Sequence, residues 1–88
     1  MRIRAAAILI EDHQLAVMER FRDGRHYFTF PGGGKDDHET PEQAVTREIE
    51  EELGIRVRII RLIAEVHYLG SKQFFYLVER TEGVFGTG

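Results

Sequence analysis

GGKDDHETPEQAVTREIEEELGI, residues 33–55, is the stretch from which the rest of this sequence is read. Thr40-Pro41-Glu42-Gln43 has the form of a helix start. Thr40 is placed as the N-cap, Pro41 takes the first helical position, where its missing N–H costs nothing, and Gln43 reaches back to the cap. Val45, Ile49 and Leu53 recur every four residues with Ala44 beside them, which makes one apolar stripe. Gly54 is the expected stop. Glu48, Glu51 and Glu52 stand at i, i+3 and i+4, so three carboxylates share one helix face along the border of that stripe.

Outward from the helix the pattern turns to strands. Arg2 to Ile10 reads as a buried strand, Glu11 to Gln14 as a polar turn, and Leu15 to Phe21 as a returning strand. Arg22 to Arg25 is a second turn. His26 to Phe30 is a short aromatic strand, ended by Pro31 and the triplet Gly32-Gly33-Gly34, whose commoner use is a turn. His13 and His26 are read as turn residues. After the helix, Ile55 to Leu69 is β-prone, Gly70-Ser71 is a hairpin turn and Gln73 to Glu79 returns. Gly83 to Gly88 looks like loop.

The 88 residues suffice for one small domain, 1–88, which buries a little over ~60% of its unfolded surface. With 42% hydrophobic and 31% charged residues the composition is that of an ordinary soluble protein. A net charge of −3 offers no footprint for a nucleic-acid polymer. The absence of cysteine excludes disulfides and thiolate metal sites. The apolar run Ala5 to Ile10 is too short for a signal peptide or a membrane span, so a cytoplasmic protein without a membrane partner is expected.

The three helix carboxylates repel one another, by tenths of a kcal/mol per pair (~0.2–0.5) when exposed and by more when half-buried. A divalent cation relieves that repulsion, and all-oxygen ligands suit Mg2+ or Mn2+ better than zinc. For an acidic helix by itself a solvated charged face is the commoner reading. The glycines just before it can bring backbone amides and carbonyls close to a ligand. Arg47, four residues before Glu51, can hold a carboxylate in a two-pronged grip; the plainer alternative is a surface ion pair. Arg20, Arg22 and Arg25 form a basic cluster that can meet phosphate, against the commoner solvated loop, and Tyr27 or Phe28 can offer a stacking face. Glu65 and His67 share one strand face.

Taken together, residues 33–55 resemble the Nudix box, G-x5-E-x7-R-E-U-x-E-E-x-G-U with U aliphatic. Gly33, Glu39, Arg47-Glu48-Ile49, Glu51-Glu52 and Gly54-Ile55 fill every specified position. Phe30-Pro31-Gly32 also looks like the family's approach to the box; His38 stands where many members carry glycine, at a position left free. The resemblance to the MutT-like Nudix hydrolases implies an α/β fold, a mixed sheet flanked by helices as an α/β/α sandwich. It implies metal ligation by Glu48, Glu51, Glu52 and the Gly32 carbonyl, and pairing of Glu39 with Arg47, which orients the ligands. Glu51 or Glu52 is an implied base for water, the family's alternative being a base from a later loop. Such domains usually continue with further strands and a second helix, so the C-terminal part of the domain is expected to be lacking here.

The implied function is Mg2+- or Mn2+-dependent hydrolysis of a diphosphate linkage in a nucleoside diphosphate linked to another group. Nucleotide-pool sanitation and nucleotide-sugar cleavage are the two subclasses. Arg22, Arg25 and Tyr27 are the candidate substrate contacts, and a homodimer is left open. The rival is a Nudix-like module that binds a nucleotide without cleaving it; the complete set of box carboxylates favours the enzyme.

Overall fold

Alternating apolar residues at the N-terminus build the central strand. A computed structural model describes residues 2–85, in which β1 runs Arg2–Glu11 and buries Ala5, Ala7 and Leu9 on one face. Two positive-φ residues, Asp12 and His13, turn the chain into β2, Gln14–Leu15. The expected strand from Leu15 to Phe21 is broken at Ala16-Val17, and β3 begins only at Met18 (Met18–Arg22). Asp23 and Gly24, both at positive φ, make a tight two-residue turn into β4, Arg25–Thr29. His26 therefore lies in a strand and not in a turn. Its ring stacks on Phe21 across the hairpin at 4.5 Å, and the pairing runs one step further, to Arg22 opposite Arg25.

The glycine triplet also departs from expectation. Gly32–Gly34 form a short strand, β5, antiparallel to the start of β1. The helix α1 spans Pro41–Leu53 with the expected capping box between Thr40 and Gln43 and with Gly54 left-handed at its end. β6 (Ile55–Tyr68) and β7 (Ser71–Gly83) form a long hairpin, turned at Leu69-Gly70, one residue earlier than expected. β7 is longer than Gln73 to Glu79 because β6 has partners for it up to Gly83. Residues 86–88 of the expected terminal loop lie outside the described residues.

The sheet is mixed, in the order β2-β1-β7-β6. β7 is parallel to β1 on one edge, and β5 and β2 share the other. β3 and β4 form a separate two-stranded ribbon. One face of the sheet receives α1. Ala44, Val45 and Ile49 pack on Ala5, Ala7, Leu9, Ile55, Tyr76 and Val78, with Leu53 partly buried beside them. Fully burying a Val, Ile or Leu contributes ~1.5–3 kcal/mol, so this stripe fixes the rotation of the helix. Tyr76 joins that core and donates its hydroxyl to Glu42 at 3.1 Å. The α/β architecture with a mixed sheet is thus as expected, with α1 the one helix among the described residues. No helix among them is long and apolar enough to cross a membrane.

Candidate functional site

The rotation of α1 sets where its carboxylates go. With Val45 and Ile49 in the core, Glu48 and Glu52 lie at the core's edge, facing β5, while Glu51 stands further out. Their side chains are 19%, 14% and 59% exposed in that order. β5 reaches them because glycine has no side chain to hold the strand off.

The register of β5 on β1 then assigns its backbone groups. Ala7 N–H donates to Pro31 O and Lys35 N–H to Ile3 O, both at 2.8 Å, so alternation turns Gly32 and Gly34 away from β1. The Gly32 N–H donates to Glu52 Oε1 at 2.8 Å, and the Gly34 carbonyl accepts from Arg47 Nη2 at 3.1 Å. The Gly32 carbonyl is freed from the ladder by the same alternation, as a backbone ligand requires.

Gly32 and Gly33 are sterically exacting, in different ways. A Cβ on Gly32, at φ +150°, would lie 2.2 Å from the Ala5 carbonyl oxygen. A Cβ on Gly33 would lie 2.6 Å from Glu48 Cδ and 2.8 Å from both its oxygens. Backbone cannot yield in the first case; a flexible carboxylate can in the second. Gly32→Ala is therefore expected to destabilise the fold by about 3 kcal/mol or more. Gly33→Ala is expected to cost under about 1 kcal/mol in stability while displacing Glu48. Urea midpoints of the two variants check this, and equal losses would mean that the Glu48 carboxylate over Gly33 cannot yield.

Arg47 ties the site together. Nε and Nη2 donate to the two oxygens of Glu39 at 3.2 and 2.7 Å, a two-pronged grip. Nη1 donates to Glu48 at 2.9 Å and to Glu51 at 3.2 Å. Glu39 also accepts the Asp36 N–H at 2.9 Å, and its side chain is only 8% exposed. The Arg47 hydrogen bonds, then that of Asp36, hold the Glu39 carboxyl down from 4.5 to about 2. Hydrogen bonding to Glu39 pushes Arg47 further up. A carboxyl lowered in the folded state stabilises fully above its unfolded pKa, and the contribution is lost as pH falls toward the folded value. The stability gap between the native chain and Glu39→Gln is thus expected to be constant above about pH 5 and to close between 4.5 and about 2. Urea unfolding across that range tests it; a gap that persists at pH 2 would contradict it.

Glu52 has a second partner on the ribbon. Arg20 Nη2 lies 2.7 Å from Glu52 Oε2, and its Nε donates to Thr29 Oγ1 at 3.3 Å. Cross-strand register places Arg20 opposite Tyr27 and Arg22 opposite Arg25, so all four candidates share one ribbon face with Thr29. Arg22, Arg25 and Tyr27 line one shallow concavity, and Arg4, Arg20 and Arg22 line another with Tyr27 and Thr29. That Arg20 joins this face to the helix was not readable from the sequence, where it is one of three arginines in a cluster. Nor does the sequence mark Arg4, which stands on β1. Phe28 points to the opposite face with Phe21 and His26. Glu65 and His67 bond to each other at 2.7 Å, with Lys72 3.6 Å from Glu65, and to none of the helix carboxylates.

The donor chemistry of this cluster fits a hard divalent ion: three carboxylates, a backbone carbonyl released by strand register, and a glycine cradle that a Cβ would fill. As the side chains stand, each of the three carboxylates is paired with an arginine, Glu52 with Arg20, and Glu48 and Glu51 sharing Arg47 with Glu39. Among the described residues no three acidic or imidazole side chains converge on one point.

Comparison with known proteins identifies the family and the fold. Residues 1–85 match the model of the NUDIX domain. The chain is 35% identical to the 8-oxo-dGTP diphosphatase of Escherichia coli K12, over 94% of this chain and 69% of that protein. It is 40% identical to the RNA pyrophosphohydrolase of Pseudoalteromonas translucida, over 83% of this chain; the match spans 43% of that relative's length. A solved chain from work on MutT of Aliivibrio salmonicida and Vibrio cholerae superposes with a TM-score of 0.79 at 26% identity, covering 92% of this chain and 71% of that one. A UDP-X diphosphatase structure shares the fold at a TM-score of 0.81 and 21% identity, over 99% of this chain and 45% of that one. On the match over residues 1–85, this chain belongs to the NUDIX family.

Proposed function

We propose that the protein hydrolyses a diphosphate linkage in a nucleoside diphosphate linked to another group, using Mg2+ or Mn2+ held by Glu48, Glu51, Glu52 and the Gly32 carbonyl. One observation carries the reading: Glu48 and Glu52 at the edge of the core face a strand without side chains, and Arg47 braces Glu48 together with the more exposed Glu51 beside them. When bound, the ions would neutralise charge developing on the diphosphate and lower the pKa of an attacking water.

The chain's own residues do the rest. Arg47, anchored by Glu39, fixes Glu48 and Glu51 relative to each other. Gly32 N–H fixes Glu52. The implied base is Glu51 or Glu52, and Glu51 is the better placed, because it is the most exposed and engages one oxygen only, with Arg47. Arg22, Arg25 and Tyr27 form a cationic, partly aromatic face suited to a phosphorylated nucleoside. Nucleotide-pool sanitation and nucleotide-sugar cleavage are the two leading uses. The name RNA pyrophosphohydrolase adds RNA to the substrates worth testing, since cutting a diphosphate at a chain end needs no groove-binding charge. A cytoplasmic location goes with this reading.

The test is a screen of nucleoside triphosphates including 8-oxo-dGTP, nucleotide sugars and 5′-triphosphorylated RNA, with Mg2+, with Mn2+ and with chelator. Turnover of at least one substrate, abolished by chelator, is expected. No turnover with either metal would sink the enzyme reading and promote a nucleotide-binding module.

A further inference from the structure

We infer that Arg20 and the divalent ion are alternative occupants of Glu52, so that the ion must displace Arg20 from Oε2 to bind there. The inference rests on the metal reading proposed above. It follows from how differently the two arginines of the site are held. Arg47 donates to Glu39 through two nitrogens, and also to Glu48, Glu51 and the Gly34 carbonyl. Most of those bonds survive if Glu48 or Glu51 turns to an ion, so Arg47 stays. Arg20 has one carboxylate, Glu52, and its other bond is a 3.3 Å contact to Thr29 on its own ribbon.

Both oxygens of Glu52 are already engaged. Oε1 accepts the Gly32 N–H at 2.8 Å and Oε2 lies 2.7 Å from the Arg20 guanidinium, on a side chain that is 14% exposed. An ion on Oε2 would stand within a few ångströms of a fixed positive charge in a partly dry site, where repulsion is little screened. Arg20 can leave. Its side chain is 36% exposed, and the ribbon that carries it is not part of the main sheet. Swinging out, it joins Arg22 and Arg25 on a face that offers no strong anion. Asp23, itself 91% exposed and 4.0 Å from Arg22, is the nearest acid in an ion pair there. The counter-charge that Arg20 then lacks is the substrate's phosphate. Arg20 is in this sense a positioning residue, which holds Glu52 when no ion is bound and turns to the substrate face when one is.

Binding of Mn2+ alone, followed by calorimetry on the full chain, reads this out without turnover. Arg20→Gln removes the competing occupant and is expected to tighten Mn2+ binding about tenfold, because the competent state no longer has to be released first. Arg22→Gln removes the same charge from the same face without touching Glu52 and is expected to change affinity by less than about twofold. Arg20→Lys, which keeps the charge but loses the planar fork, should fall between Arg20→Gln and the native chain. In a Glu52→Gln background the Arg20→Gln gain should vanish. Unchanged or weaker binding by Arg20→Gln, or an equal gain from Arg22→Gln, overturns the exchange and leaves metal binding standing. If no variant, nor the native chain, binds Mn2+, the metal reading falls and this inference with it.

Discussion

Glu52→Gln is expected to lower turnover by about a thousandfold while the chain still folds. The substitution keeps size and shape and removes one anionic ligand, a loss of several kcal/mol of transition-state stabilisation; ~4 kcal/mol is three decades in rate. The consequence for stability differs from what the bare spacing of the glutamates suggests. Three like charges on a helix face imply that neutralising one relieves repulsion and raises stability without metal. In the structure, however, Glu52 is the acceptor of two donors, Gly32 N–H and Arg20. Glutamine still accepts from Gly32 but presents Arg20 with a neutral group, so a net loss of about 1 kcal/mol is expected. For a chain of 88 residues that is ~4–8 °C in Tm. Steady-state kinetics on the folded variant, with a thermal melt in chelator, measures both. Near-normal turnover would remove Glu52 from the ligand set, and a raised Tm would mean that Arg20 does not compensate its charge.

The same residues show what a sequence can and cannot disclose. α1 was legible from cap to stop because its signals are local: Thr40, Pro41 and Gln43 act within one turn, and the Val45/Ile49/Leu53 stripe needs only the helical period. The carboxylate face follows from that period without further information. β5 was not legible. Glycine carries no side-chain alternation, so only pairing with Arg4, Ala5 and Ala6, about 28 residues earlier, makes Gly32–Gly34 a strand. The break between β2 and β3 likewise depends on cross-strand neighbours. Arg20 is the sharpest case. It lies 32 residues from Glu52 and looks, in sequence, like Arg22 and Arg25 beside it. Alternation along the ribbon places all three on one face, but only the docking of the ribbon beside α1 selects Arg20 as the residue that reaches the helix.

Arg47→Lys is expected to cut turnover by about 100-fold while weakening Mn2+ binding only a few-fold. Lysine keeps the charge but not the planar fork, and one ammonium cannot satisfy both Glu39 oxygens, Glu48, Glu51 and the Gly34 carbonyl together. What is lost is the fixed geometry of the carboxylates rather than attraction for the ion, and groups that orient ligands typically cost ~10–100-fold when changed. Glu39→Gln should produce a similar defect, because Glu39 touches none of the helix carboxylates and acts through Arg47. The two losses should then overlap: the double variant is expected to be little worse than either single one. A plain surface ion pair predicts the opposite pattern, with small effects that shrink further in salt. Burial already argues against it, since the Glu39 side chain is 8% exposed and Arg47 30%. A double-mutant cycle on turnover at low and high salt separates the two. Losses that simply add would mean that Glu39 and Arg47 serve the site independently, and the orienting role assigned to their pair would have to be abandoned.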